Sequence, residues 1–152
     1  MKSEAALTQL ERTVFYALEK AIKSYRQFAQ RNIDAHNLNI TIDQWLILKT
    51  IKDHPDLMQK EIAQRVFKDL ASVTRMVELL VKRKYLKRSF HEQDRRRYKL
   101  ELTPSGNQIY NQLVPIVLEN RKTALEGIPS ADIADLHDLL HTITENCQST
   151  SN

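Results

Sequence analysis

The sequence predicts a mostly α-helical fold, and three observations support this prediction. The 152 residues include only two glycines and four prolines, too few for the many tight turns of an all-β protein. Hydrophobic residues make up 41% and charged residues 28%, close to the averages of globular domains. Long stretches carry apolar residues at three- and four-residue steps, the spacing of one helix face. A chain of this length is expected to form one domain, residues 1–152.

The first stretch predicts one long amphipathic helix. Ser3 is a suitable N-cap, and apolar residues recur from Leu7 to Phe28 without a proline or glycine, so the helix should end near Arg31. At about 1.5 Å per residue this helix would extend for about 40 Å, which is longer than a small domain is wide. Part of its apolar face is therefore expected to contact another subunit.

Three shorter helices are predicted next. Thr41 and Gln44 form a capping-box pattern that opens the second helix, and Pro55 lies just beyond its end. Residues 58–67 predict a short third helix, and Asp69 is a suitable N-cap for a fourth. The apolar residues of the fourth helix fall on one inward face. They are Val73, Met76, Val77 and Leu80.

A β-hairpin is predicted after the fourth helix. Residues 86–90 and 97–103 are two short runs that are expected to form strands, and in the second Lys99 and Glu101 alternate with Leu100 and Leu102. The charged residues 91–96 between them are expected to form a solvated loop.

Two more helices close the chain. Thr103 is expected to cap the first of them, with Pro104 in the favoured first turn and a kink at Pro115. Ser130 is expected to cap the last helix, which runs to Cys147 and leaves residues 148–152 as a polar tail.

Positive charge is concentrated between residues 82 and 97. This segment has a net charge of +6, whereas the rest of the chain sums to −2. Eight basic residues account for it: Lys82, Arg83, Lys84, Lys87, Arg88, Arg95, Arg96 and Arg97. Such a cluster is typical of proteins that bind polyanions, although a solvated basic face would have the same composition.

The order of the middle elements predicts a winged helix-turn-helix. Two helices joined by a tight turn form the helix-turn-helix, and the charged hairpin that follows forms the wing. The N-terminal end of the second helix would enter the DNA major groove, with small side chains allowing close approach. Four residues of this helix would lie nearest the bases and phosphates: Ala71, Ser72, Thr74 and Arg75.

The wing would carry its basic side chains to the adjacent minor groove. Arg95, Arg96 and Arg97 are expected at its tip, since arginine is attracted by the negative potential of a narrow minor groove. Lys87 and Arg88 on the first strand are expected to contact phosphates.

Two segments resemble the MarR (multiple antibiotic resistance regulator) family of winged-helix transcription factors. They are KDLASVTRMVELLVKRKYLKR, which resembles the family's recognition helix, and DRRRYKLELTPSG, which resembles its wing. The matching residues are Asp69, Ser72, Val73, Thr74, Arg75, Asp94, Arg96, Leu100, Leu102, Thr103 and Gly106. Met58, Phe67 and Leu70 depart from the family pattern, which often has threonine, glycine and a polar residue there.

The resemblance implies a homodimer that binds double-stranded DNA. Residues 1–34 and 104–147 would form the dimerisation helices, and residues 41–103 the DNA-binding region. Arg96 would be the minor-groove arginine, and Asp94 would support the wing by pairing with a nearby arginine. The resemblance also allows a small aromatic or phenolic effector. Five residues are candidates to line its site: Tyr25, Phe28, His36, Trp45 and Tyr110.

Other classes of protein find little support in the sequence. With glycines only at 106 and 127 there is no Gly-rich phosphate loop, and no nucleophile motif occurs, so an enzyme is not expected. His137 and His141 have a spacing that could share a metal, but a surface pair is favoured, and no metal or cofactor is predicted. No window approaches an apolar membrane span, and a cytoplasmic, nucleoid-associated protein is expected.

The function predicted from the sequence is that of a sequence-specific repressor. It would occupy a near-palindromic operator until an effector releases it. Two alternatives stay open at this point. One is a winged-helix protein–protein interaction module, such as an antirepressor or assembly component, and the other is a protein that coats the chromosome without sequence preference.

Overall fold

A computed structural model describes residues 9–150, and within them the chain forms six α-helices and one two-stranded antiparallel sheet. The helices are α1 (Val14–Ala35), α2 (Ile42–Asp53), α3 (Gln59–Arg65), α4 (Leu70–Lys82), α5 (Pro104–Ala124) and α6 (Ser130–Ser149). The strands are β1 (Leu86–His91) and β2 (Asp94–Leu102). This order confirms the predicted mostly α fold with a winged helix-turn-helix formed by α3, α4 and the hairpin.

The first helix begins later than predicted. A single 3-10 turn, Leu10–Arg12, precedes Thr13, whose backbone is extended and whose Oγ1 accepts a hydrogen bond from the Tyr16 N–H at 3.3 Å. A threonine hydroxyl that caps a new helix competes with continuation of the preceding one, which explains the break. The prediction of one uninterrupted helix is therefore wrong at Thr13, while Ser3 and Leu7 lie outside the described residues. The helix ends at Ala35, beyond the predicted end.

The predicted caps of α2 and α4 are confirmed. The Gln44 N–H donates to Thr41 Oγ1 at 3.1 Å, and the Thr41 N–H donates to Gln44 Oε1 at 3.0 Å, so both halves of the capping box are present. At α4, Asp69 Oδ1 accepts from the Ser72 N–H at 2.7 Å. Both helices therefore start where local sequence predicts.

Two helix ends differ from the prediction. The short α3 ends at Arg65 because Phe67 adopts a left-handed backbone with φ of 58°, which no helix can continue through. The last helix has Pro129 as its N-cap, so Ser130 is its first residue and not its cap. The same helix reaches Ser149, which makes the predicted tail wrong for residues 148 and 149.

The core lies between α2, α3, α4 and the base of the hairpin, and the end of α1 and the first part of α5 also contribute to it. Val73, Val77 and Leu80 of α4 are fully buried, whereas Met76 lies at the edge of the core. Their buried neighbours are Ile33, Ile40, Trp45, Ile47, Leu48, Ile51, Ile62, Ala63, Leu86, Leu100, Ile109, Tyr110, Leu113 and Val117. The inner face of α4, the helix predicted to be the recognition helix, is thus packed from Val73 to Leu80 against the rest of the protein.

The wing is longer and less regular than predicted. Its strands pair from Leu86 opposite Leu102 to Phe90 opposite Tyr98, and the next pair is His91 with Asp94. Three arginines of β2, residues 95–97, lie between the last two pairs with no counterpart on β1, which makes an irregularity of the β-bulge kind. We call residues 95–97 the arginine bulge. The prediction that Arg95 and Arg96 occupy a loop is wrong, since they belong to the strand, whereas the prediction of Arg97 as a strand residue is confirmed.

The wing joins α5 through a close backbone contact. Thr103 Oγ1 accepts from the Gly106 N–H at 3.0 Å, which confirms the predicted cap, and its hydroxyl donates to the Lys84 carbonyl. A Cβ atom on Gly106 would lie 2.0 Å from the Tyr85 carbonyl oxygen, far inside van der Waals contact. Only glycine allows the start of α5 to approach the turn between α4 and β1 this closely.

The contacts within the chain divide it into two units, one up to Leu118 and one from Glu119 onwards. The second unit contains the end of α5 and all of α6. The final helix has no buried residue, and its Leu139 side chain is 63% exposed. None of the helices in residues 9–150 combines the length and apolar character needed to cross a membrane.

Candidate nucleic-acid interface

The outward face of α4 carries the residues best placed to contact a ligand. Ala71 and Arg75 are four residues apart and exposed, opposite the buried Val73 and Val77. Leu70, the first residue of the helix, is also exposed. The start of α4 therefore presents a small side chain and a cation side by side, as the sequence predicts.

Ser72 belongs to the helix cap. Its hydroxyl donates to Asp69 Oδ2 at 3.0 Å, in addition to the bond from its N–H to Oδ1. The backbone N–H and then the hydroxyl of Ser72 hold the pKa of Asp69 below its usual range, because both stabilise the charged carboxylate. The hydroxyl proton of Ser72 is thus engaged within the protein, which leaves only its oxygen lone pairs for an outside donor.

Thr74 is engaged inside the helix-turn-helix. Its hydroxyl donates to Oε1 of Gln59, the first residue of α3, at 3.3 Å. This bond links the two helices of the motif across their turn. Of the four recognition-helix residues predicted from the sequence, the structure places Ala71 and Arg75 outward and engages Ser72 and Thr74 in internal contacts.

At the base of the wing two lysines share one carboxylate. Glu101 lies 3.4 Å from Lys87 Nζ and 3.3 Å from Lys99 Nζ, and hydrogen bonds from Lys99 and then Lys87 lower the pKa of its carboxyl. Arg88 lies opposite the buried Leu100 in the hairpin and is itself exposed. The sequence offers no reason to separate Lys87 from Arg88, but of these two Lys87 is the one that lies within ion-pair distance of a carboxylate among the described residues.

The three residues of the arginine bulge have different surroundings. Arg97 Nη2 donates to the Asp56 carbonyl at 3.4 Å and so attaches the wing to the loop after α2. Arg95 and Arg96 are exposed. Asp94 Oδ1 accepts from the backbone N–H of Arg96 at 3.0 Å, so Asp94 supports the wing through a backbone bond and not through the expected guanidinium pair.

Sequence reasoning missed a second attachment of the wing at His91. Its ring is largely buried, with Nε2 4.0 Å from Asp56 Oδ1, and its Nδ1 accepts from the Gln93 N–H at 3.3 Å. Two side chains of the wing therefore contact Asp56: His91 at its carboxylate and Arg97 at its backbone carbonyl. No local pattern could have indicated a contact between residues 35 positions apart in the chain.

Two exposed aromatic rings also lie on the wing. Phe90 and Tyr98 stack across the strands with ring centroids 5.6 Å apart. Such cross-strand aromatic pairs stabilise an isolated hairpin. The pair could have been found only with the strand register known.

Two of the five candidate effector residues come together. The rings of Trp45 and Tyr110 stack at 5.8 Å with an interplanar angle of 4°, and Lys52 Nζ lies 4.9 Å from the centroid of the Tyr110 ring. Trp45 Nε1 is buried without a hydrogen-bond partner among the described residues. A buried indole N–H of this kind leaves one donor unused.

The other three candidate effector residues lie on α1 or at its end. Tyr25 and Phe28 are half-buried, and no ring contact among the described residues connects them with the Trp45 stack. His36 is exposed, and its Nδ1 lies 2.7 Å from the carbonyl oxygen of Asn32 in the same helix. His36 therefore contacts its own helix end, and its exposed position is not that of a residue lining an enclosed site.

A helix-turn-helix with an outward cation on its second helix, followed by a basic hairpin, defines the winged helix-turn-helix class of DNA-binding proteins. Residues 40–98 match the model of the MarR family. The transcriptional regulator SarZ of Staphylococcus epidermidis is 31% identical over 104 residues, covering 68% of this chain and 66% of SarZ. The chain belongs to the MarR family of transcriptional regulators.

Solved structures share the fold over nearly the whole chain. Bordetella bronchiseptica BpsR superposes with a TM-score of 0.79 at 23% identity, covering 88% of this chain and 94% of BpsR. A mutant of E. coli MarR in complex with operator DNA has a TM-score of 0.77 at 21% identity, and the match covers 90% of this chain and 94% of the MarR chain. At these identities the comparison establishes the fold.

Proposed function

We propose that this protein is a homodimeric repressor that binds a near-palindromic operator in double-stranded DNA. The observation that carries the proposal is the outward pair Ala71 and Arg75 on α4, followed in the chain by the exposed Arg95 and Arg96 of the wing. Both lie in a winged-helix region whose residues 82–97 have a net charge of +6. This combination matches the chemistry of a DNA groove and its phosphates.

Each part of the interface has a distinct role in this proposal. Ala71 allows α4 to approach the floor of the major groove, and Arg75 donates two hydrogen bonds to a guanine edge. Arg95 and Arg96 enter the neighbouring minor groove, while Arg88 contacts phosphate. Lys87 has a weaker role than the sequence suggests, because Glu101 already offsets its charge.

Apolar side chains exposed in α1 and α6 support the dimer. Val14, Phe15 and Ile22 of α1 and Leu136 and Leu139 of α6 are exposed in the single chain. A second copy that covers such surfaces removes them from water. In this arrangement residues 1–34 and 104–147 form the interface, and the two copies of α4 read half-sites about one helical turn apart.

A small aromatic effector is proposed to release the protein from DNA. DNA binding by BpsR is regulated by 6-hydroxynicotinic acid, an aromatic acid. The Trp45–Tyr110 stack, with its unused indole N–H and nearby Lys52, carries aromatic, donor and cationic groups for such a ligand, which has to displace core packing to reach the two buried rings. Release requires that the effector bind better to a state in which the recognition helices no longer match the half-sites.

The proposal involves no enzymatic step and places the protein at the nucleoid in the cytoplasm.

The experiment that tests this function is selection of genomic fragments on the purified protein at physiological salt. We expect enrichment of one near-palindromic site, bound about tenfold less tightly by Arg96→Ala. Lys49→Ala removes the same charge from α2, outside the proposed DNA contacts and the proposed dimer interface, and is the matched control, expected to bind like the wild type. Retention of fragments without preference would support chromosome coating, and no retention would support the protein–protein interaction module.

A further inference from the structure

One carboxylate at the start of α2 contacts cations from two distant parts of the chain. Asp43 Oδ1 accepts a hydrogen bond from Arg26 Nη2 of α1. Its other oxygen, Oδ2, lies 3.3 Å from Nζ of Lys68, in the turn between α3 and α4. Because each oxygen has its own partner, the two contacts exist together. We call these three residues the Asp43 bridge.

The Asp43 bridge differs from an ordinary surface ion pair. The Asp43 side chain is only 25% exposed, and both cations are partly buried beside it. Exposed pairs contribute little because water and salt screen them, but a partly buried network of three charges is screened less. The bridge therefore restrains the elements that it joins.

Lys68 is the point at which this restraint reaches the recognition helix. It immediately precedes Asp69, the N-cap of α4, and its backbone N–H donates to the Ala63 carbonyl at 3.0 Å. A displacement of the Lys68 side chain therefore acts on the turn that sets where α4 begins.

The other end of α4 is attached to the same part of the chain. Arg83, the C-cap of α4, donates from Nη1 to the Asn39 carbonyl at 2.8 Å. Both ends of the recognition helix are thus bonded to residues 39–43, which connect α1 to α2.

The segment 39–43 is in turn held by α1. Gln30 Oε1 accepts from the Ile42 N–H at 2.9 Å, and Gln30 Nε2 donates to the Ile40 carbonyl at 3.3 Å. With the Arg26 contact, α1 makes three side-chain bonds to this segment or its first helical turn. A continuous series of polar contacts therefore leads from α1 to both ends of α4.

We propose that Asp43 is a positioning residue that couples the placement of α1 to the placement of the recognition helix. The inference rests on the proposed function, since it concerns affinity for an operator. Because α1 belongs to the proposed dimer interface, movement of α1 against its partner changes how well α4 fits the major groove. Arg26, on α1, then controls DNA affinity through Asp43.

If Asp43 acted only through its charge, removal of that charge would strengthen DNA binding, whereas loss of a positioning residue weakens it. A carboxylate near a DNA-binding surface repels phosphates, so Asp43→Asn would tighten binding if only its charge mattered. Release of the Lys68 ammonium would tighten binding further. Weaker binding would therefore indicate positioning.

The test compares affinities for the selected operator and for a scrambled duplex at one salt concentration. For Asp43→Asn we expect about a tenfold loss of operator affinity with nearly unchanged affinity for the scrambled duplex. Arg26→Gln should produce a similar loss of specificity. Asp53→Asn is the matched control, because Asp53 is also on α2 but pairs with Lys49 on the surface.

A double-mutant cycle tests the coupling itself. If Asp43 connects the two cations, the double variant Arg26→Gln with Lys68→Gln loses less operator affinity than the product of the fold-losses of the two single variants. Thermal unfolding identifies any variant that is not folded. If Asp43→Asn does not fold, Arg26→Gln and Lys68→Gln carry the test, since each removes one contact only.

The outcomes separate this inference from the proposed function. A wild-type protein without a preferred site overturns both. A specific wild type whose affinity is unchanged or increased by Asp43→Asn overturns the inference alone. Equal losses on both duplexes also overturn it, because a positioning residue should affect fit and leave phosphate attraction unchanged.

Discussion

The helices α4 and α6 are both amphipathic, but the single chain covers only one of them. Val73, Val77 and Leu80 of α4 have no exposed surface, whereas α6 has no buried residue at all. The neighbours that cover α4 come from α2, α3 and the hairpin, all close to it in the sequence. An apolar stripe therefore predicts which face of a helix becomes buried. It does not predict whether the residues that bury this face belong to the same chain.

The largest expected effect is on the buried face of α4. Leu80→Ala should lower the free energy of unfolding by about 3 kcal/mol, since it removes a fully buried side chain and leaves a cavity. Denaturant titration measures this loss. The matched control is Leu139→Ala on α6, measured under conditions where the protein is monomeric, and it should change the free energy by less than about 1 kcal/mol. Equal losses of unfolding free energy in the two variants would contradict the difference in burial between α4 and α6.

A change on the exposed face of α6 should instead affect association. Leu139→Glu places a charge on the proposed interface and should raise the dimer dissociation constant at least about tenfold. Light scattering over a dilution series measures this constant. His137→Ala, at a more exposed position on the opposite side of the same helix, serves as the control. An unchanged dimer in Leu139→Glu would show that α6 is covered by something other than a second copy.

The turn before α4 offers a smaller, stabilising change. Phe67 is 94% exposed and has a φ of 58°, so Phe67→Gly relieves a strain of about 1–2 kcal/mol without loss of packing. Glycine costs about 0.5–1 kcal/mol in backbone entropy, which leaves a net gain of about 1 kcal/mol. Thermal unfolding checks the gain. Phe67→Ala keeps the Cβ atom and the strain, so it should give no such gain.

The smallest expected effect concerns the charge on the cap of α4. Hydrogen bonds from Ser72 lower the pKa of Asp69 from its ordinary value of 3.8, so the charged cap stabilises the fold fully above that pH. This stabilisation is lost as the pH falls through the lower pKa of the folded state. Asparagine caps helices about as well as aspartate but carries no charge. The difference in melting temperature between wild type and Asp69→Asn should therefore shrink on acidification, and a constant difference would contradict the assignment.

The features that could be predicted from the sequence are local ones. The caps at Thr41, Asp69 and Thr103 depend on residues three positions apart, so short patterns contain all the necessary information. The recognition helix and its buried stripe follow from 3.6-residue periodicity in the same way. The family resemblance rests on these same segments, and it correctly indicated the winged helix-turn-helix.

The features that could not be predicted depend on contacts across the chain. Asp43 is 17 residues from Arg26 and 25 from Lys68, and nothing in those separations signals a contact. Arg95 and Arg96 of the arginine bulge were predicted to lie in a loop because consecutive charged residues break the alternation by which strands are recognised. Their strand conformation follows from pairing around them, as at His91 with Asp94, and so becomes visible only in three dimensions.

The arginine bulge also has a consequence for how this protein can diverge. Since residues 95–97 have no counterpart on β1, their number is not tied to the register at the base of the wing. Loss or gain of a residue there would leave the pair of Leu86 with Leu102, and the junction at Gly106, in place. The reach of the wing can therefore change while its base keeps its register, and the cost falls on the contacts that Arg97 and Asp94 make at the bulge.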